Sequence, residues 1–426
     1  MPVSRFDLQS PLRHIAGAAA TLTLVAGSVF VLIWAFAHTL ARNSDTIQAS
    51  EFAATNSPGD PLARYRYASE LEKTFDLNSI TLSLTEYEAA VAAAPHNFGY
   101  WINLGQARER DGDRPGAELA YRRALELAPS YARTRWALGN NLVRQGKLNE
   151  GVELIREAVD QDPTYAAPAV TAAMQAFDGD IHRVSAILGT NPAAVAEMAK
   201  ILVNTGRFSE ALEVWTSANL DPGSPAVHAA ALAVRGKFVE AKRFRDAVQI
   251  SAAAETDTAK RPLIGVITNG GFETGVATQN VDYFDWKIGQ AYPIFGLSET
   301  QPKEGKYSLL VRFTTPSRLD FATVGRTVAV EPGATYDLAV AYRSELTTRG
   351  EFRWEVISAA DGKRLAVSDV LAAQSGWTEL RTRIPVPGDI DGITIRLIRE
   401  KCDSAACTVS GNIWFDDIKL TRAERS

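Results

Sequence analysis

Two consecutive stretches of this chain can be laid over each other. Residues 98–131 read FGYWINLGQARERDGDRPGAELAYRRALELAPSY, and residues 132–165 read ARTRWALGNNLVRQGKLNEGVELIREAVDQDPTY. A shift of ~34 residues brings Leu104 onto Leu138, Gly105 onto Gly139, Ala117 onto Gly151, Tyr121 onto Ile155, Ala124 onto Ala158 and Pro129 onto Pro163. Small residues at fixed places let two helices of one unit approach, and the large ones fill the space between units. The prolines end each second helix, and polar turns such as RDGDR and RQGKLN separate the pair. One such unit cannot bury its apolar face alone, so units must stack.

The pattern Trp101, Leu104, Gly105, Ala117, Tyr121, Ala124, Pro129 resembles the tetratricopeptide repeat. Tyr67, Ser83, Tyr87, Ala90 and Pro95 form a degenerate earlier copy. After Tyr165 the pattern weakens. Residues 166–192 read as a shortened or distorted unit, Ala211, Trp215 and Ala218 recover the pattern, and residues 228–248 supply one more helix pair. Roughly five pairs over residues 61–250 are expected, above the minimum of three for a solenoid. Trp101, Tyr121 and Trp215 take positions inside the stack. Such solenoids present a concave surface to a protein partner, and Asn103, Arg135, Asn140 and Asn141, on first helices of their units, are the candidates to line it.

Upstream lies IAGAAATLTLVAGSVFVLIWAFA, residues 15–37, without a charged residue. It is long enough to cross a bilayer as a helix. Arg5 and Arg13 precede it and only Arg42 follows closely, which favours a cytoplasmic tail at 1–14, an anchor at 15–37, a juxtamembrane linker at 38–60 and the remainder outside. A cleaved signal peptide is the rival reading, since Ala35 and Ala37 form a small-x-small site, but the apolar stretch exceeds the usual ~7–15 residues of a signal core.

Near Arg261 the character changes. After a linker at 251–262, residues 263–426 alternate and carry β-branched and aromatic residues in KYSLLVRF, TYDLAVAYRS, FRWEVIS, WTELRTRIPV, GITIRLIRE and NIWFDDIKL. Many short strands separated by turn signals such as EPGAT and PGDIDG predict an antiparallel β-sandwich or jelly roll. The fold class expected is therefore multidomain, an apolar helix and α-solenoid followed by a sandwich. The motifs TNGGFETG, GKYSLLV, VAVEPGATYDLAVAYRS, SGWTEL and IWFDDIKL, in that order, resemble the jelly-roll carbohydrate-binding modules.

That resemblance implies two kinds of site. An acidic residue of the last strand and the Glu of the GFE opening often hold a structural calcium ion, here Glu273 with Asp416 or Asp417. Sugar is bound through aromatic faces; the candidates are Tyr283, Trp286, Tyr292 and Trp354, with Phe284 and Trp377 beside them, and VDYFDWKIGQAYPIF at 281–295 is the richest stretch. Read as a regular strand, GNIWFDDIKL places Trp414, Asp416, Ile418 and Leu420 on one side and Ile413, Phe415, Asp417 and Lys419 on the other. A carboxylate among apolar residues must be compensated, by a cation or by backbone N–H groups.

The two cysteines, Cys402 and Cys407, lie beyond the membrane in this topology, where a disulfide clipping a short loop is permitted. A net charge of -5 and no Lys/Arg run longer than two argue against nucleic acid. Adjacent strand residues point apart, so Asp416 and Asp417 do not form a catalytic carboxylate pair, and no histidine follows His228. The function expected is a non-catalytic, membrane-anchored scaffold of the bacterial inner membrane with its folded parts outside the cytoplasm. Its solenoid would bind a protein and its sandwich a polysaccharide, as in repeat proteins that accompany exopolysaccharide synthesis and export. The alternative is a purely protein–protein assembly factor, and the remote one a glycoside hydrolase. No cofactor is expected beyond the structural calcium that the resemblance implies.

Overall fold

The computed structural model describes residues 11–43, 45–74, 76–258, 260–277, 279, 281–289, 292–314, 324–348, 350–400 and 408–424. Cys402 and Cys407 lie outside the described residues. The chain forms two compact units, Met1–Ile187 and Leu188–Ser426.

The first unit is helical: α1 (Pro11–Asn43), α2 (Ile47–Asn56), α3 (Pro61–Glu72), α4 (Leu77–Ala93), α5 (Phe98–Asp111), α6 (Arg114–Leu127), α7 (Ala132–Arg144), α8 (Leu148–Gln161), α9 (Ala166–Ala176) and α10 (Ile181–Leu188). The repeat spacing works as expected. A Cβ on Gly105 would stand 2.5 Å from the Tyr121 ring, and one on Gly139 would stand 2.7 Å from the Gly151 carbonyl oxygen, so only glycine lets α5 meet α6 and α7 meet α8. Asp113 caps α6 by accepting from the Gly116 N–H at 2.9 Å. Residues 166–188 do form a shorter pair, α9 and α10, turned through the left-handed Asp178 and Gly179.

The segment expected as a linker at 38–60 is instead helical. α1 runs on to Asn43 and α2 folds back beside it. Ala37, Ala41, Ala53 and Ala63 are fully buried against one another, and His38 Nδ1 lies 2.6 Å from Asp60 Oδ2. Alanine at these places leaves no side chain to hold the helices apart, a signal that is invisible when the stretch is scored only for polarity.

The second unit begins with α11 (Pro192–Asn204), α12 (Phe208–Ser217), α13 (Pro225–Glu240) and α14 (Phe244–Ala253), and continues as a sandwich. Its strands are β1 (Lys287–Ile288), β2 (Ile294–Ser298), β3 (Ser308–Phe313), β4 (Val324–Ala329), β5 (Thr335–Ser344), β6 (Thr347–Thr348), β7 (Phe352–Ser358), β8 (Arg364–Val367), β9 (Gln374–Pro385), β10 (Gly392–Arg399) and β11 (Val409–Arg422). One sheet runs β1-β4-β10-β7-β8; the other runs β2-β3-β11-β5-β9, with β6 on β11. All described pairings are antiparallel. Trp286, Trp354, Phe352, Phe415, Ile395 and Tyr336 fill the space between the sheets.

Strict alternation fails in β11. Ile413, Phe415, Ile418 and Leu420 all belong to the core, so one extra residue is inserted between Phe415 and Ile418. Asp417 supplies it with a left-handed φ of 48°, a conformation that a short polar side chain tolerates. Trp414 and Asp416 therefore face away from the core that Ile418 and Leu420 enter, which corrects the side shared by these four residues.

Candidate functional site

On the repeats, the four groove candidates part company. Asn141 is fully buried; its Nδ2 donates to Glu109 Oε1 at 2.9 Å and its Oδ1 accepts from Gln145 at 2.6 Å. It ties two repeats together and lines no groove. Arg135 donates to Glu157 at 2.7 Å and to the Pro129 carbonyl. Trp101, the matching position one repeat earlier, donates its Nε1 to the Pro95 carbonyl at 2.9 Å, so this position ties its repeat to the proline that ends the preceding one. Asn103 and Asn140 are half-buried and each donates to the carbonyl a turn back, Gly99 and Trp136.

The aromatic segment is not an open surface. Trp286 is 2% exposed and Trp354 0%, set edge to face at 6.3 Å, with Phe415 beyond at 5.2 Å. Phe284 is buried as well. Tyr283 stacks at 6.2 Å on Phe244 of α14, and Tyr292 is half-buried against Phe313. The glycan-stacking assignment of Trp286 and Trp354 is thereby corrected: their faces are spent on core contacts, which is where large apolar rings gain most from leaving water. Trp377 is half-buried and donates its Nε1 to the Gln301 carbonyl at 3.0 Å.

Phe244 marks a joint that the sequence left unmarked. Its ring fills the space over Gly392, where a Cβ would come within 2.4 Å. Around it Arg235 pairs with Asp282, the Arg245 backbone N–H donates to the Asp391 carboxylate at 3.2 Å, and the Arg245 guanidinium reaches Glu331 at 3.2 Å. The last helix pair and the sandwich are one packed body. Beside the joint lies a cavity of about 420 Å³ lined by His228, Leu232, Arg235, Lys260, Asp282 and Asp285, among others. A neighbouring one of about 450 Å³ shares Lys260 and Asp285.

Arg326, on β4, is a buried cation that sequence reading missed. It shares the inward side with Val324 and Val328, donates to the Thr268 carbonyl and to Thr268 Oγ1, and sits 5.9 Å from the Trp286 ring. Burial depresses its guanidinium to about 10 while Asp285 and Asp282 pull it back. Burial likewise raises Asp285, against the pull of Arg326.

The three carboxylates of the calcium reading are each already engaged. Asp416 Oδ2 accepts from the Lys303 and Glu304 N–H groups at 2.8 and 3.2 Å, and its Oδ1 from the Asp417 N–H at 2.7 Å. Burial raises the pKa of Asp416, and the three amides work against that rise. Glu273 accepts from the Lys306 and Tyr307 N–H groups at 3.0 Å. Asp417 pairs with Lys303 at 2.7 Å and Lys419 at 2.5 Å; burial opposes its ionisation, but the two ammonium groups outweigh it and lower its pKa. Among the described residues no three His, Cys, Asp or Glu side chains converge on a point that could hold a metal. Of the two compensations considered for Asp416, the structure displays the backbone N–H groups. Together with Arg343, which donates to Gln301 and Thr300 while lying 4.1 Å over the Trp414 ring, they strap the loop between β2 and β3 onto the sheet.

Residues 75–132 match the family model of the tetratricopeptide repeat. No curated protein matches the chain. Among solved structures, one described as "CBM4 structure and function" is 17% identical, with 37% of this chain and 99% of that chain covered at a TM-score of 0.29. MamA from Desulfovibrio magneticus RS-1 is 17% identical over 45% of this chain and 97% of its own, at 0.31. YrrB, a TPR protein with an unusual peptide-binding site, is 14% identical over 49% and 92%, at 0.27. At TM-scores this low, the architecture rests on the strand pairing and helix contacts described above rather than on these likenesses. The matched segment and those contacts give a tetratricopeptide-like helical region followed by a C-terminal β-sandwich. Among the described residues, one helix, α1, ahead of the repeats, is long and apolar enough to cross a membrane.

Proposed function

We propose that this chain is a non-catalytic scaffold held to a membrane by α1, whose repeats bind a protein partner and whose sandwich caps the last helix pair. The observation that carries the capping role is the joint at Phe244. A solenoid needs its terminal apolar face covered, and here Gly392, Tyr283 and two polar contacts from the sandwich side cover α14, while Asp282 pairs with Arg235 of α13. The burial of Trp286 and Trp354 supports the protein-only reading of the sandwich over the glycan-binding one. The outward side chains of β7 and β10 point the same way: Glu355 is paired with Arg396, and Arg353 bonds to Ser368 and Glu351, rather than forming an aromatic platform.

An uncleaved anchor is supported by the course of α1. Cleavage after Ala37 would cut within a continuous helix, at a residue buried against α2 and α3. The excess of Arg5 and Arg13 over Arg42 supports a cytoplasmic start with the folded units beyond the bilayer, and the setting we assign is the bacterial envelope.

Affinity electrophoresis of the detergent-solubilised full chain through gels containing a panel of polysaccharides tests the choice between the two readings of the sandwich. Unretarded migration is expected. Retardation by one polysaccharide that is lost on Trp377→Ala would establish glycan binding and overturn the protein-only reading.

A further inference from the structure

The end of α1 meets the first repeat in an unusual way. Leu22, Leu24, Val29, Phe30, Leu32 and Phe36 are all exposed, as on a helix that faces lipid. From Ile15 to Phe36 such a helix rises about 33 Å, close to the ~30 Å of a bilayer core. Trp34 and Phe36 thus fall at its outer boundary, where aromatic rings are favoured. Directly beyond, one face of the helix becomes covered, because Ala37 and Ala41 are buried against Ala53 and Ala63.

The apolar surface does not stop with α1. Phe52 of α2 is 42% exposed and meets Phe36 edge to face at 6.1 Å. The α2–α3 turn, Asn56 to Gly59, runs back along α1 and encloses a groove of about 390 Å³ lined by Phe30, Val31, Trp34, Ser57 and Pro58. Ser57 is 1% exposed, yet its hydroxyl has no hydrogen-bond partner among the described residues. The same turn is fixed from the other side, since Asp60 both contacts His38 and caps α3 through the Leu62 N–H at 2.9 Å. A groove that is apolar along α1, with one unpartnered hydroxyl at its base, matches the region where acyl chain gives way to ester and headgroup.

We propose that this groove lies at the acyl–headgroup boundary and seats lipid, so that Phe52 and the Asn56–Gly59 turn rest in the membrane surface. The occupant is the bilayer itself, because the groove continues the lipid-facing side of α1. The first repeat is then docked on the membrane in one orientation, not suspended on a flexible stalk. This rests on the reading of α1 as a membrane span.

The test uses the full chain in phosphatidylcholine–phosphatidylglycerol vesicles, with Cys402→Ser and Cys407→Ser removing the native thiols. Single spin labels at Val29→Cys, Phe52→Cys and Leu119→Cys report collision with oxygen, which concentrates in lipid, and with a nickel chelate, which stays in water. Leu119 is exposed on α6 and serves as the aqueous reference. The oxygen-to-nickel ratio at position 52 is expected to exceed that at 119 several-fold and to approach that at 29. A ratio at 52 equal to that at 119, with 29 still in lipid, overturns the proposal and leaves the anchor standing. Exclusion of both reagents from 52 overturns it in favour of a protein partner over the groove. Nickel access at 29 removes the anchor reading and the proposal together. If thiol removal prevents folding, Phe52→Trp with both cysteines intact gives the same decision. Brominated phosphatidylcholine should quench the added emission, and an unquenched increment overturns the proposal.

Discussion

The helical unit and the sandwich hold themselves together by opposite means. In the repeats, the strong contacts are made within one unit or with the next unit along. Glu118 on α6 accepts from Arg122 on its own helix, and from Gln145 and Lys147 in the following repeat; Glu109 accepts from Tyr121, Asn141 and Arg144. In the sandwich, the decisive contacts join distant parts of the chain: Asp416 to Lys303, Trp286 to Trp354, Phe244 to Gly392. Damage in the first region should stay local, and damage in the second should spread through one cooperative core.

The largest expected effect breaks the sandwich. Trp354→Ala should cost about 4 kcal/mol, the usual penalty for emptying a buried aromatic site. Chemical denaturation of the full chain should then lose its sandwich transition at much lower denaturant while the helical signal persists; unchanged midpoints would mean that the ring is not core. Asp416→Ala comes next. It strands three N–H donors, and about 3 kcal/mol is expected, seen as earlier unfolding and as faster hydrogen exchange at Lys303 and Glu304.

Gly139→Ala probes the helical side. The added methyl would stand 2.7 Å from the Gly151 carbonyl oxygen and 2.8 Å from Ile155. Overpacking should outweigh the gain in helix propensity and leave a net loss of about 1–2 kcal/mol. Hydrogen exchange should rise in α7 and α8 and stay unchanged in the sandwich strands.

A smaller effect is set by pH. Burial of Glu118 opposes its ionisation, but bonds from Lys147, Arg122 and Gln145 win and take its pKa from 4.5 to about 2. A carboxylate with a depressed folded pKa stabilises the fold above its ordinary value and loses that contribution as pH falls through the lowered one. The repeats should therefore weaken between about pH 4.5 and about pH 2, and Glu118→Gln should flatten that part of the acid melt. The smallest effect expected is none. A chelator should leave the melting temperature unchanged, because amides and lysines already compensate Glu273, Asp416 and Asp417. A fall on chelation would put a cation among them.

Legibility followed the same divide. Gly105 and Tyr121 announce each other, since partner positions in a repeat recur at a fixed distance and the same pattern is printed again one unit later. The aromatic segment at 281–295 gave no such cue. Whether Trp286 faces water or Trp354 depends on strands far away in sequence, and Tyr283 is covered by a phenylalanine from the helices. The motif order still identified a sandwich, but the sides of β11 were misjudged after Asp416. A bulge leaves no mark in hydrophobic alternation except a break that reads as noise. At residues 38–60, small side chains that permit close contact were indistinguishable from those of a polar linker.

By itself the amino-acid sequence determined the apolar first helix, the stacked helix pairs and the change to strands, because each is written in a short-range period that the backbone geometry enforces. Only the tertiary structure decided that Asp416 straps a loop, that Trp354 is core, that the sandwich packs on α14 and that α2 lies against the foot of α1. These outcomes depend on which distant surface excludes water from a side chain, and that is settled when the chain closes on itself.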